Sequence, residues 1–475
     1  MGIVITNGKI VSSKGIVEKD IRIVGEKIED IGIDLVAPND EIIDAKGFFV
    51  LPGGIDVHTH FEAEAGGMVA DTFTTGTKAA LVGGTTTIVD FAEQIKGGTL
   101  RRALEEWSKN ATDKTYTDYG FHMTISDWNE NTSKEMEEMV KEGITSFKMF
   151  FAYEDLKVDD GSIYEALKRA KELGTLIGFH CENGDIIDRL RKEAIAKGKL
   201  EPVYHMETRP PSLEREAIFR LITIAELADT PIYIVHLSSK EGYDEIIKAR
   251  KKGMKILAET CPQYLLLDKD CYLSKGKNSF EGAKYVISPP LRDEESKKVL
   301  WQGIKDEEID VVATDHCAFN YKKQKELGKD DFTKIPNGAP GVENRYKLIY
   351  TYGVTKNRIT IERLVEILSE NPAKIFGLYP KKGIIQKGSD ADIIIFNPEA
   401  KSIIRAENQV QNVDYNLYEG LTQYGKFEYV FLRGQMVVKD EKILISKPLG
   451  KYQRRGLTIK DEGEKNGYHN YTRWR

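Results

Sequence analysis

Cysteine is scarce: Cys181, Cys261, Cys271 and Cys317 are the only four in 475 residues, far apart and without C-x-x-C spacing. That excludes a disulfide framework and a zinc knuckle, and it points to a reducing cytoplasm. No run of about 18 apolar residues occurs, so no transmembrane helix is expected. The N-terminus, Met1-Gly2-Ile3-Val4-Ile5-Thr6-Asn7-Gly8, lacks a basic segment leading into an apolar core, so no signal peptide is expected. Positive charge is not in excess either. A formal net charge of -6 argues against nucleic acid or an anionic membrane as partner. With 40% hydrophobic and 30% charged residues, the chain has the profile of a soluble globular protein and can bury a large core.

The pattern of strands and helices divides the chain. Residues 1–50 carry short alternating runs at Ile3 and Ile5, 9–11, 20–24 and 27–31, separated by glycine or asparagine turns. So few half-buried strands cannot close a core alone. Runs of the same character at 390–396 and 429–438 supply the partner, which predicts a β-sandwich built from 1–50 and 380–447. Between them, residues 51–379 alternate apolar runs with charged helical stretches. Strands are expected at 85–91, 119–125, 146–151, 176–180, 232–237, 255–260, 286–288 and 311–315, and helices near 100–110, 133–142, 164–173, 185–196 and 243–252. That alternation implies βαβ units and a parallel sheet, and its repeat number favours an α/β (β/α)8 TIM barrel with insertions. A doubly wound sheet is the alternative, but no G-x-G-x-x-G follows the first strand. Residues 448–475 read as a charged tail, either on the surface or packed on a neighbouring subunit.

Chemistry concentrates around Gly53-Gly54-Ile55-Asp56-Val57-His58-Thr59-His60. On a strand, side chains repeat on one face roughly every 6.6–6.8 Å, so His58 and His60 point the same way. Barrel active sites gather at the C-terminal ends of strands. His180, His236 and Asp315 end predicted strands, and Lys148 lies within another, among Phe147, Met149, Phe150 and Phe151. Singly, a strand-end histidine is a satisfied core residue and an aspartate a cap; jointly they form a metal-ligand set. An unpaired ammonium among those aromatics carries a large desolvation cost. Three outcomes relieve it: a carboxylate partner, a depressed pKa suited to imine chemistry, or carbon dioxide addition to give a carbamate.

These residues resemble the hydantoinase/dihydropyrimidinase group of the amidohydrolase superfamily. The resemblance spans nearly the whole chain and includes Gly76-Thr77-Lys78-Ala79-Ala80, Gly83-Gly84-Thr85-Thr86-Thr87, Phe151-Ala152-Tyr153, Glu259-Thr260-Cys261-Pro262-Gln263-Tyr264, Ser288-Pro289-Pro290-Leu291-Arg292, Ala313-Thr314-Asp315-His316-Cys317 and Asn337-Gly338-Ala339-Pro340-Gly341-Val342-Glu343. It implies two divalent ions, zinc first and manganese or cobalt as alternatives. His58, His60 and Asp315 would hold the more buried ion and His180 and His236 the more exposed one, with Lys148 as a bridging N6-carboxylysine. It further implies that Tyr153 donates to the developing oxyanion, that Asp315 is general base and acid, and that Ser288 and Asn337 hold the amide edge of a cyclic ureide substrate. His316 is read as supporting the ligands, and His122, His205 and His469 as structural. The group's assembly implies a homotetramer, or a homodimer.

Relatives with other tasks share the scaffold. Dihydroorotases place an arginine where this chain has Glu62, and allantoinases open a different ureide. Many hydantoinases continue with Met-Pro-Phe, where this chain has Ala63-Glu64-Ala65 before Gly66-Gly67. The resemblance implies that this loop lines the pocket for the exocyclic substituent, so the departure bears on substrate range and enantioselectivity; the expectation is a D-selective hydantoinase accepting bulky 5-substituents. The dihydropyrimidinase-like neuronal proteins keep the barrel without the ligands and act as binding proteins. The full ligand set here argues against that alternative.

Overall fold

The computed structural model describes residues 2–273, 275–276 and 279–458. Its centre is a parallel sheet of eight strands: β1 (Gly54–Thr59), β2 (Thr85–Glu93), β3 (Asp118–Thr124), β4 (Ser146–Phe150), β5 (Leu176–His180), β6 (Ile232–Ile234), β7 (Ile256–Thr260) and β8 (Val311–Val312). Each pairs with its sequence neighbour, in the order β8 to β1. β1, β3, β4 and β5 are buried along their whole length, as strands covered on both faces must be. Capped helices connect them; Asp159, for example, caps Asp160–Leu173, which ends on Gly174 at φ 68°.

Three strand expectations are corrected. Residues 286–288 form an extended loop after the 3-10 helix Phe280–Tyr285, because Pro289 and Pro290 offer no ladder donor. Without it the strand count is eight. β6 stops at Ile234 and β8 at Val312, so His236 and Asp315 sit just beyond their strands, in left-handed backbone at φ 38° and 53°. Non-glycine residues adopt that region uncommonly, and here it re-aims two side chains at the barrel mouth.

The two-residue β8 cannot supply a full ladder to β1, so side chains and an isolated backbone bridge close the barrel. Asp56 accepts from the Thr314 amide (3.2 Å) and hydroxyl (2.7 Å), and the His60 amide donates to the His316 carbonyl (2.7 Å). The buried Arg345 guanidinium donates across the seam to Ile55 (2.8 Å) and Val312 (3.1 Å) carbonyls. These satisfy backbone groups that would otherwise be orphaned.

Both chain ends meet in a seven-stranded sheet, where Ile393–Ile403 pairs antiparallel with Phe49–Pro52 and with Thr422–Leu432. A four-stranded sheet made from 3–44 shares an apolar cluster with it, including Ile5, Ile21, Ile23, Val50, Ile393, Ile395 and Phe431. The buried Lys382 ammonium ties this region to β3, lying 2.7 Å from Asp118, 2.6 Å from Asp392 and 3.1 Å from Asp390. Of the expected tail, residues 448–458 bond to their own barrel. Gly450 N donates to Thr115 O (2.9 Å), Gln453 N to Tyr119 O (2.7 Å) and Arg455 N to Gly143 O (3.0 Å), along the N-terminal ends of β3 and β4. Residues 459–475, His469 among them, lie outside the described residues.

Candidate functional site

The six residues proposed as ligands converge at the C-terminal end of the barrel. Lys148 Nζ lies 2.9 Å from His58 Nε2, and Asp315 Oδ1 lies 3.1 Å from His58 Nε2 and 3.5 Å from His60 Nε2. His180 Nδ1 is 2.9 Å from His236 Nε2. The rings of His58 and His236 lie 5.3 Å apart, which joins the two groups into one cluster. Ligand atoms of His58, His236 and Asp315 all fall within 4.8 Å of one another, making this a candidate metal-ligand group. Burial, then the neighbouring His180, pulls the His236 pKa well below its usual value, so the ring presents a lone pair rather than a charge. Two imidazole nitrogens 2.9 Å apart either share a proton or face a common cation. The donor set of imidazole and carboxylate suits a divalent transition metal.

Lys148 is buried, its Nζ 4.1 Å above the Phe91 ring and 4.9 Å from that of Phe150. Among the described ion pairs it has no carboxylate partner, which removes the first of the three ways to relieve its burial. Desolvation drives its pKa down, against the attraction of Asp315 and Glu259. Burial also opposes the ionised form of Asp315, but the His58 and His60 imidazoles outweigh it and hold the carboxyl well below the usual range.

Behind the imidazoles stand three carboxylates whose roles were not read from the sequence. Glu259, buried in β7, pairs through Oε1 with His58 Nδ1 and accepts from the His236 amide (3.1 Å), while Oε2 accepts the Tyr233 hydroxyl (2.8 Å). Glu182 Oε2 faces His180 Nε2 at 3.0 Å, and Glu93 Oε1 lies 3.7 Å from His60 Nδ1. Such partners fix which ring nitrogen faces the centre. A glutamate inside the wholly buried run Ile256–Thr260 needs donors, and that is the sequence signal for Glu259.

The substrate side is built from loops. Tyr153 stands at φ 68° beyond β4, its ring 5.3 Å from that of His180. Desolvation, then the Glu182 carboxylate, pushes its phenol up to about 12, against the Arg209 guanidinium and the nearby polar side chains of Ser288 and Asn337. It therefore stays protonated near neutrality and can donate. Glu64–Ala65 and Met68–Val69 form a small hairpin after His60, turning through Gly66 and Gly67 at φ 62° and 74°. Glu62, where a dihydroorotase has its arginine, accepts the Phe73 amide (2.9 Å) and is engaged by the following helix.

Of the remaining described histidines, His122 and His205 serve the framework, while the His316 carbonyl accepts the His60 amide (2.7 Å). His122 bonds Ser146 Oγ (2.6 Å) and the Val57 carbonyl (3.0 Å), and His205 bonds the Ile287 carbonyl (2.8 Å). His316 Nδ1 accepts the amides of Gly341 (3.1 Å) and Val342 (3.3 Å).

A family model described as the amidohydrolase family matches residues 49–437. A D-hydantoinase from Geobacillus stearothermophilus is 47% identical over 454 residues, covering 95% of this chain and 96% of its own. A D-hydantoinase from Streptomyces coelicolor is 48% identical over 418 residues, covering 88% and 89%. The crystal structure of a dihydropyrimidinase from Brevibacillus agri superposes with a TM-score of 0.95 at 45% identity, over 97% of this chain and 100% of that one. A match across the barrel and both flanking sheet segments shows that the chain belongs to the amidohydrolase family.

Proposed function

We propose that this protein is a cyclic amidase that opens 5-substituted hydantoins, or dihydropyrimidines, to N-carbamoyl amino acids, with D selectivity. One observation carries the reading: four imidazoles, the Asp315 carboxylate and the Lys148 amine converge at one barrel mouth beside a phenol kept protonated. The D-hydantoinase names of its relatives support the substrate class and the stereochemistry.

His58, His60 and Asp315 would hold one zinc ion and His180 and His236 a second, with Lys148 carboxylated between them; manganese or cobalt would suit the same donors. When bound, two such ions supply hydroxide at neutral pH and polarise a carbonyl. Asp315 accepts the proton of the attacking group and returns it to the leaving ring nitrogen. Tyr153 donates its hydroxyl to the oxygen that gains charge. Ser288 and Asn337, beside that phenol, hold the amide edge of the ring. The hairpin at 64–69 meets the exocyclic substituent and decides which enantiomer fits. No helix among the described residues is long and apolar enough to cross a membrane; a cytoplasmic homotetramer is the proposed form.

The test is ring opening by zinc-loaded protein on dihydrouracil and on separate enantiomers of 5-phenylhydantoin. Preference for D-5-phenylhydantoin is expected. Comparable dihydrouracil turnover would make it a dihydropyrimidinase, and silence on all three would refute the substrate class.

A further inference from the structure

Two adjacent residues, Gln324 and Lys325, are completely buried although both are polar and they open a short 3-10 turn, Lys325–Gly328, on the loop side of the barrel. Their side chains reach three separate segments. Lys325 Nζ donates to the carbonyls of Val286 (2.8 Å), Pro336 (2.7 Å) and Gly338 (2.7 Å). Those three acceptors use every proton of an ammonium group. Among the described ion pairs Lys325 has no carboxylate partner. Burial pushes its pKa down to about 7, and the three carbonyl dipoles favour the charged form. Burying an ammonium is costly, and these three hydrogen bonds offset that cost while joining separate segments.

What it holds is specific. Pro336 and Gly338 flank Asn337, and Val286 lies two residues before Ser288. Ser288 and Asn337 are the two residues assigned above to the amide edge of the ring. The Gly338 amide also donates to the Val286 carbonyl (3.1 Å), so the two loops are bonded at one point. Gln324 reaches the 64–69 hairpin instead. Its Nε2 donates to the carbonyl of Met68 (2.9 Å) and approaches that of Ala65 (3.5 Å), on both strands of the 64–69 hairpin. Its Oε1 accepts the Asn320 amide (2.8 Å), which fixes the amide orientation.

We propose that Gln324 and Lys325 are positioning residues that tie the substituent-facing hairpin to the two loops holding the amide edge, and so set substrate fit from both sides of the cleft. The proposal rests on the hydantoin-opening reading above. Neither side chain touches the imidazole cluster, so the effect falls on binding geometry rather than on metal content. Lys325 would govern the ring itself, and Gln324 the 5-substituent.

Lys325→Met keeps the length and apolar volume of the side chain and removes all three donors. Gln324→Met removes the hairpin bonds alone. For both, KM and kcat are measured on unsubstituted hydantoin and on D-5-phenylhydantoin, with zinc content and deuterium exchange of the 286–288 and 336–338 peptides. Lys325→Met is expected to raise KM on both substrates at least ~10-fold, with zinc unchanged and faster exchange in both peptides. Gln324→Met is expected to raise KM for the phenyl substrate only. A folded Lys325→Met with wild-type KM on both substrates and unchanged exchange overturns the proposal, as does loss of zinc at unchanged KM. If Lys325→Met does not fold, Gln324→Met decides: an equal effect on both substrates, or none, overturns the link. A wild type that opens neither ring refutes the parent reading instead. The exchange data then still score the clamp, since unaltered exchange in Lys325→Met overturns it and faster exchange supports it.

Discussion

Glu259→Gln tests how far the centre depends on its surroundings. The Glu259 carboxylate serves three donors at once: His58 Nδ1, the His236 amide and the Tyr233 hydroxyl. A glutamine of the same shape can keep its oxygen toward His58 and His236 and turn its NH2 to Tyr233, whose hydroxyl then reverses. Packing and the number of hydrogen bonds survive, and what is lost is the negative charge behind His58. Hydrogen bonds to a charged group contribute about 1.5–3 kcal/mol against roughly 0.5–1.5 for neutral ones, so the difference is ~1–1.5 kcal/mol. That converts to about tenfold in metal affinity, the lower end of the roughly 10–100-fold range for partners of metal-bound histidines. The assay is competition between the protein and a zinc chelator, followed by kcat/KM on D-5-phenylhydantoin. A folded variant with unchanged zinc affinity would refute the reasoning. A loss far above ~100-fold with the fold intact would mean that Glu259 is itself a ligand.

Three further outcomes are expected. Tyr153→Phe should lower kcat by ~10²–10³ with little change in KM, since the role proposed for the phenol is to stabilise charge present only in the transition state; a rise in KM alone, with kcat unchanged, would contradict this. Lys148→Ala should lose metal and most activity, with short-chain carboxylic acids restoring part of both; full activity with two metals bound would mean that the bridge is misassigned. Glu343 is buried and accepts the amides of Val410 (2.7 Å) and Gln411 (2.9 Å), and desolvation raises its pKa from 4.5 to about 7. A carboxyl with a raised folded-state pKa favours the fold when protonated, so its contribution is complete below about pH 4.5 and fades as pH rises to about 7. Glu343→Gln should therefore gain stability at pH 8 relative to wild type, by up to about 3 kcal/mol, and not at pH 4. Denaturant midpoints at the two pH values check this, and an equal difference at both would refute it.

The sequence by itself determined the features that a local rule can reach. Strand periodicity put His58 and His60 on one face, and the alternation of apolar runs with charged helices gave the barrel. Lys148 stood out because a lone ammonium inside an aromatic strand is costly to bury, and the motif set singled out Tyr153, Ser288 and Asn337, which the structure places on loops. Only the tertiary structure decided the rest. The 286–288 run has strand composition, yet its following prolines leave it a loop. The barrel seam depends on Asp56 and Arg345, 289 positions apart in the chain and 3.9 Å apart in the structure. Gln324 and Lys325 look like ordinary polar residues in the chain, and the apolar run around Glu259 says that it needs donors without saying which. Their importance comes from burial, which removes water as a partner and obliges each to find donors or acceptors on segments that the sequence does not bring near. The 448–458 strap likewise reads as a charged tail until Gly450, Gln453 and Arg455 meet the open backbone groups at the base of β3 and β4. Local chemistry fixes which residue types can do the work; only the long-range fold sets which donor faces which acceptor, because that choice depends on distances between segments with no sequence signature of their own.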